Sequence, residues 1–130
     1  MALVPTLTIK DTTTFSDEIS FSVTDSLTVK APSSSLSTII ADGTGANNII
    51  VPAAVDIVYL FVRHTGFAAD GTTGSTVLVD VEETGDAAFA RLGAGEWLFM
   101  PFNHHAGNVG IQLQSTGASV TLEYAYWTKA

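Results

Sequence analysis

The sequence predicts an all-β protein: a single-domain antiparallel β-sandwich, compatible with jelly-roll connections, preceded by an extended N-terminal arm. Apolar residues recur with a period of two along nearly the whole chain, which is the pattern of strands rather than helices. Glycine-containing turns separate the stronger segments at intervals of about eight to twelve residues, as expected for a sandwich or barrel. A chain of 130 residues with 46% apolar content has room for one core and not for two.

The first third of the chain, residues 1–35, alternates only weakly and is rich in Thr and Ser. We predict an extended arm or edge strands here. Pro32 and the three serines that follow it are the most linker-like point, so the sandwich domain is predicted to span residues 36–130. The weakly alternating segments of the arm are residues 3–9, 19–23 and 27–29.

Eight stronger strands are predicted within the sandwich domain. Each has the apolar alternation of a strand and is bounded by a Gly, Asp or Asn turn in which glycine supplies the positive φ of a tight reversal. A short turn is predicted near residues 52–55. The predicted strands are residues 36–41, 48–51, 56–63, 76–81, 87–92, 96–102, 109–114 and 120–127.

Two of these strands are apolar on both of their alternating faces. Residues 56–63 read DIVYLFVR and residues 96–102 read EWLFMPF. A strand with one solvent-exposed face should alternate apolar and polar residues. A strand that is apolar on both faces must therefore pack against other protein surface on both faces. A chain this short supplies such cover only in part. We therefore expect neighbouring copies or another protein to supply the rest, which is typical of a building block.

Aromatic residues mark the surface through which such contacts are expected. The last strand carries Tyr124 and Tyr126 on one side and Trp127 on the other, and Tyr and Trp are enriched in protein interfaces. The alternative is that these three residues close the end of the monomer core. The predicted interface residues are Tyr59, Phe61, Trp97, Phe99, Phe102, Tyr124, Tyr126 and Trp127.

The composition restricts partners and compartments. A net charge of -8 opposes binding to nucleic acid and to anionic membrane surfaces. Charged residues make up only 14% of the chain, so the surface must be built largely from Thr, Ser, Asn, Gly and Ala, which suits permanent contacts. The absence of cysteine excludes disulfides and thiolate sites. No window resembles a signal peptide or a membrane helix, so we expect a chain made in soluble form inside a cell.

The histidines are the main candidates for chemistry. His104 and His105 follow Pro101 in a predicted loop, and His64 ends another strand. The run from Gly95 to His104 superficially resembles the second metal motif of the cupins, but Asn103 and Ala106 stand where that motif has glycine and histidine. We expect His104 and His105 to be ordinary loop residues. The functional alternative is a site for Zn, Fe or Mn formed by all three histidines. We predict no catalytic residue, no metal site, no cofactor and no enzyme activity.

The second half of the chain resembles the small β-rich virion proteins encoded by tailed bacteriophages. The resemblance covers residues 56–130 and is carried by VYLFVRHTG, by RLGAGEWLFMPF with its L-x-x-G-E turn into an aromatic strand, and by the terminal VTLEYAYWTKA. It implies a structural protein that decorates and cements a capsid by binding between major capsid subunits. It further implies a homo-oligomer, with a trimer favoured, and a location on the virion surface after synthesis in the host cytoplasm.

Other classes of function stay open at the level of the sequence. A tail or fibre component of the same virion type has the same sequence features. A carbohydrate-binding β-sandwich would use an exposed aromatic such as Trp97 or Trp127 as a sugar platform. A small cupin-like enzyme would require His64, His104 and His105 to converge on one metal.

Overall fold

The computed structural model describes residues 1–11, 20–53, 55, 57–85, 87–103 and 109–130, and within them all paired strands run antiparallel. The predicted all-β antiparallel class is confirmed, and the sheets form a curled sandwich. A 3₁₀ turn, Gly45–Asn47, lies just before Ile49, where the sixth strand begins. The strands are β1 Ala2–Leu3, β2 Thr6–Lys10, β3 Ser20–Thr24, β4 Leu27–Ser33, β5 Ser37–Ala41, β6 Ile49–Val51, β7 Ile57–Ala68, β8 Val79–Glu83, β9 Ala88–Leu92, β10 Trp97–Asn103, β11 Ile111–Ser115 and β12 Val120–Lys129.

Sheet one is built around β12. Its strand order is β1-β4-β12-β7-β10, and β5 also pairs with β12. One side of β12 pairs along its length with β7, and the other side pairs first with β5, at Val120 opposite Ala41, and then with β4, at Thr128 opposite Lys30. Segments from both ends of the chain therefore meet in one sheet.

Sheet two has the order β6-β11-β8-β9 and lies across the core from sheet one. On β7 of sheet one, Val58, Leu60 and Val62 alternate toward the interior with no exposed surface. Side chains of β8, β11 and β12 complete the packing. Burying each large aliphatic side chain stabilises the fold by about 1.5 to 3 kcal/mol. The fully buried partners of β7 include Val79, Val81, Ile111, Leu113, Val120 and Leu122.

The N-terminal third divides into two parts. The strands β1 and β4 join sheet one, whereas β2 and β3 pair only with each other and form a separate hairpin, which we call the arm hairpin. Pro5 lies between β1 and β2, where a residue without a backbone N–H cannot continue a ladder. The linker-like stretch after Ala31 is partly strand: β4 continues to Ser33, which pairs opposite Trp127.

The connection between β7 and β8 contains a carboxylate held by its own loop. Asp70 accepts hydrogen bonds from the Thr73 hydroxyl at 2.5 Å and from the N–H groups of Thr72 and Thr73 at 2.9 and 2.8 Å. These bonds favour the charged form and lower the pKa of Asp70 from 3.8 to about 2. Because the folded pKa is lowered, the loop's contribution to stability is complete above pH 3.8 and is lost as the pH falls through about 2.

We therefore expect the Asp70 carboxyl to titrate with a midpoint near pH 2 in carbon-13 NMR spectra of the folded protein. A Thr73→Val variant removes the hydroxyl donor and should move the midpoint up toward 3.8. Asp42 is the internal control, because its pKa is also lowered by hydrogen bonds, but from Thr44 and Asn47 and not from Thr73. An unchanged Asp70 midpoint in the variant would contradict the assignment of the hydroxyl as the main cause.

Candidate interaction surfaces

Five large aromatic side chains lie close together on the outward side of sheet one, and Phe67 lies further along β7 beside Arg63 and Thr65. The aromatic residues on β7 alternate with the buried Val58, Leu60 and Val62. The strand register places Phe99 opposite Phe61, and Tyr59 opposite Trp127. We call this surface the aromatic face. Its members are Tyr59 and Phe61 on β7, Trp97 and Phe99 on β10, and Trp127 on β12.

Ring contacts connect three members of the aromatic face. Tyr59 and Phe99 stack with centroids 6.3 Å apart and an interplanar angle of 9°. Phe99 also meets Trp127 at 6.5 Å in a tilted arrangement. Trp97 is 53% exposed, and the other four members are partly exposed. A surface of this kind, with large rings held in place by their neighbours, is typical of an interface centre.

Charged and polar groups border the aromatic face. Arg63 and Glu123 form an ion pair at 3.6 Å on its β7–β12 side. Lys129 places its ammonium 5.0 Å from the centre of the Tyr59 ring and donates a hydrogen bond to Asn103 at 2.8 Å. An apolar centre with a polar border is the usual anatomy of a protein interface.

The outward side of sheet two is different in kind. Arg91 donates to both carboxylate oxygens of Asp80, at 2.6 and 3.1 Å, and the Gln112 amide donates to Glu82 at 2.6 Å. Gly45 lies so close to this second pair that a Cβ at its position would be 2.4 Å from the Gln112 nitrogen. The polar groups of this surface satisfy one another within the subunit, in contrast to the aromatic face.

Five of the eight aromatic residues predicted from the sequence lie together on the aromatic face, and three do not. Phe102 and Tyr126 point to the inward side of their strands, and each is only 8% exposed, within the core. Tyr124 packs against the same core. These three side chains therefore contribute to the interior of the subunit.

The arm hairpin has one apolar and one polar side. Its apolar side consists of two cross-strand pairs, Leu7 with Val23 and Ile9 with Phe21, each residue between 37% and 51% exposed. Its polar side is held by hydroxyl pairs, including Thr6 with Thr24 at 2.8 Å. A lone two-stranded hairpin is at best marginally stable in water. The alternation of residues 3–9 and 19–23 indicated strands, but sequence alone did not show that these side chains share one surface.

The base of the arm hairpin lies beside the aromatic face. Leu7 and Pro5 line a cleft of about 110 Å³ with Trp97 and Phe99. A second cleft of about 230 Å³ places Leu7 and Val23 beside Phe99. The arm therefore approaches sheet one from its outward side, and it leaves room between itself and the rings.

A third concavity, separate from these two clefts, opens between β9 and β10, and we call it the edge groove. It has a volume of about 480 Å³ and Glu83 at its rim. The register shift between Val81 and Glu82 leaves Phe89 as the extra residue of β9, and its ring stacks on Phe102 at 5.4 Å. Sequence reasoning did not identify this groove. Its apolar lining is Phe89, Ala90, Leu98, Met100 and Phe102.

His64, which the sequence offered only as part of an alternative metal site, has a structural role. His64 is fully buried, its Nδ1 accepts a hydrogen bond from the Gly66 N–H at 2.9 Å, and its Nε2 lies 2.8 Å from the Val77 carbonyl oxygen. Since an amide can only donate to Nδ1, the proton is on Nε2, which donates to Val77. Both nitrogens are thus used within the fold. Gly66 has a φ of 84°, which favours glycine.

The other two histidines of that alternative site, His104 and His105, lie outside the described residues. Within the part of the chain that the structure describes, no three His, Cys, Asp or Glu residues form a group that could hold a metal ion. In the same residues, no helix is long and apolar enough to cross a membrane. Comparisons with protein-family models, with curated proteins and with solved structures found no match to this chain.

Proposed function

We propose that this chain is a non-enzymatic structural subunit of a virion, which decorates and stabilises a tailed-phage capsid by binding between major capsid subunits. The observation that carries the proposal is the aromatic face: five large rings on one outward surface, three of them in mutual contact, of a subunit whose other outward surface carries polar side chains paired with one another. A surface of this kind is costly to leave in water and favours a permanent contact.

Contacts between copies of the chain follow from the same surface. Burying one large apolar ring contributes about 1.5 to 3 kcal/mol, so a few rings outweigh the cost of association once two faces meet. A closed ring of identical subunits repeats one heterologous contact, in which the aromatic face of each copy would pack against a different surface of the next. A trimer is the proposed state, and attachment of many copies to a repeated lattice adds avidity. The net charge of -8 supports protein partners over nucleic acid or anionic membranes.

Light scattering on the purified chain tests the oligomer. We expect a mass about three times 13.6 kDa for the wild type and about 13.6 kDa for Trp97→Glu, because a charge in the aromatic face would have to be buried unpaired. Ile49→Glu is the matched control: Ile49 is 49% exposed on β6 of sheet two, close to the 53% of Trp97. A wild-type monomer, or equal effects of the two substitutions, would contradict assembly through the aromatic face.

Attachment to the virion requires a second experiment. The chain is co-expressed with the major capsid gene from the same genome, and the purified heads are examined for bound chain by electrophoresis and electron microscopy. Saturable binding to heads supports a decoration protein. Absence from heads together with presence in purified tails would replace the proposal with the tail or fibre alternative.

A further inference from the structure

The arm hairpin continues a two-stranded ribbon that begins in sheet one. Leu3 of β1 lies opposite Leu27 of β4, and from Thr6 opposite Thr24 onward the pairing of β2 with β3 keeps the same register. Because the register is continuous, every second residue of each strand points to the same side of the ribbon. That side carries the apolar residues of the base and of the arm hairpin together, namely Leu3, Leu7, Ile9, Phe21, Val23 and Leu27.

The ribbon is interrupted between its base and the arm hairpin. Residues 4–5 and 25–26 belong to no strand, and we call them the hinge. Pro5 has no N–H to donate. Among the described residues, one main-chain hydrogen bond crosses the hinge, from the Asp25 N–H to the Pro5 carbonyl at 3.2 Å. Since few bonds hold the two strands together there, the hinge is the point at which the ribbon bends most easily.

The apolar side of the ribbon faces the aromatic face across a gap. Leu7, Val23 and Leu27 form one wall of the cleft of about 230 Å³, and Phe99 forms part of the other. In the smaller cleft, of about 110 Å³, Leu7 lies across from Trp97 and Phe99. Apolar side chains that line a gap lose the dispersion contacts that they would make with a touching surface. Closing the gap therefore favours both walls.

We propose that the arm hairpin is a strap, which closes on the aromatic face of its own subunit by bending at the hinge. In the closed state Leu7 and Val23 pack on Trp97 and Phe99. The strap then occupies rings through which another subunit would bind, so strap and neighbour compete for one surface. The closure itself is independent of the proposed function. Its consequence, that the free subunit restrains its own assembly, rests on that function.

Attachment within one chain favours the strap at low protein concentration. The arm hairpin is joined through the hinge to β1 and β4, so its apolar side stays near Trp97 and Phe99. An incoming subunit must reach the same rings by diffusion, and its occupancy rises with concentration, whereas that of the strap does not. Dilute subunits therefore keep these rings covered, and concentrated subunits displace the strap.

Acrylamide quenching of Trp97 fluorescence tests the closure. The chain has two tryptophans, so Trp127→Phe leaves Trp97 as the only one. A further substitution in the aromatic face, Phe61→Glu, keeps this reporter chain monomeric, which light scattering verifies, so that its own arm is the only cover for Trp97. With the strap open Trp97 is 53% exposed, and closure reduces its access to acrylamide.

Two double variants of the arm hairpin are compared in this reporter chain. Leu7→Asn with Val23→Asn removes the apolar side of the strap. Thr8→Asn with Ser22→Asn is the matched control, because this neighbouring pair lies on the polar side of the same two strands. We expect the quenching constant to rise at least about twofold in the first variant and to stay unchanged in the second. Equal quenching in the two variants would overturn the closure.

Light scattering on the same arm variants, with the aromatic face intact, tests the competition. We expect the apolar-side variant to assemble at a protein concentration at least about threefold lower than the control. Equal or weaker assembly would overturn the competition. Raised quenching in a chain that never assembles retains the strap and rejects the proposed function, whereas trimers with equal quenching do the reverse. Leu7→Asn alone, with Thr8→Asn as its control, repeats both measurements if circular dichroism shows that a double variant is misfolded.

Discussion

Replacing Gly110 with alanine is expected to lower the free energy of unfolding by about 3 kcal/mol. A Cβ at this position would lie 2.3 Å from the Val51 carbonyl oxygen and 3.1 Å from the Ala53 nitrogen, both of them backbone atoms. The backbone of Gly110 is also fixed from the other side, because its N–H donates to the Thr84 hydroxyl at 3.1 Å and its carbonyl accepts from the Thr84 N–H at 3.0 Å. The clash therefore cannot be relieved by a small local shift.

Urea denaturation of the wild type and the variant measures this loss. The control is Gly74→Ala, since no heavy atom lies within 4 Å of the position that its Cβ would occupy. We expect the control to change stability by less than about 0.5 kcal/mol. Similar costs at Gly110 and Gly74 would show that the close approach between Gly110 and Val51 is absent in solution.

A His64→Leu variant is expected to lose about 2 to 4 kcal/mol of stability, because two buried main-chain groups would be left without partners. Leucine fills much of the space but offers neither an acceptor to the Gly66 N–H nor a donor to the Val77 carbonyl. The loss is expected without any change in bound metal, since both ring nitrogens already bond to the protein backbone.

Arg63→Met serves as the matched control for His64. It substitutes the adjacent residue of β7, whose side chain points outward, is 47% exposed and forms its ion pair at 3.6 Å. Such a pair contributes at most about 1 kcal/mol. Thermal and urea unfolding of both variants tests the prediction, and equal losses would contradict a structural role for the imidazole.

The strands of the sandwich could be predicted because burial leaves a local pattern. In β11 the buried Ile111 and Leu113 alternate with Gln112 and Gln114. The structure also places β7 over the predicted segment and extends it to Ala68. The path of β4 left no such pattern. It pairs Lys30 with Thr128, and neither residue carries a signal for a partner so distant in sequence.

The aromatic face could be predicted only in part, because both alternating sets of β10 are apolar. Trp97 and Phe99 belong to one set, and Met100 and Phe102 to the other, so hydrophobicity alone does not decide which set faces the core. One signal was present: Asn103 belongs to the set of Trp97 and Phe99 and marks that set as the outward one. The edge groove had no local signal, since it depends on the packing of β9 against β10.

The central place of β12 also determines the order in which structure forms. The pairing of Lys30 with Thr128 must bring together two points separated by about three quarters of the chain, and the sandwich therefore has a high contact order. Such topologies fold in about milliseconds to seconds, whereas a hairpin forms within about microseconds. The arm hairpin, closed between Thr6 and Thr24, therefore forms fast enough to precede the sheet, but it is held in place only once β1 and β4 have joined that sheet. Because slow pairing leaves apolar strands exposed during folding, we expect dilution during refolding to favour the native subunit over aggregates.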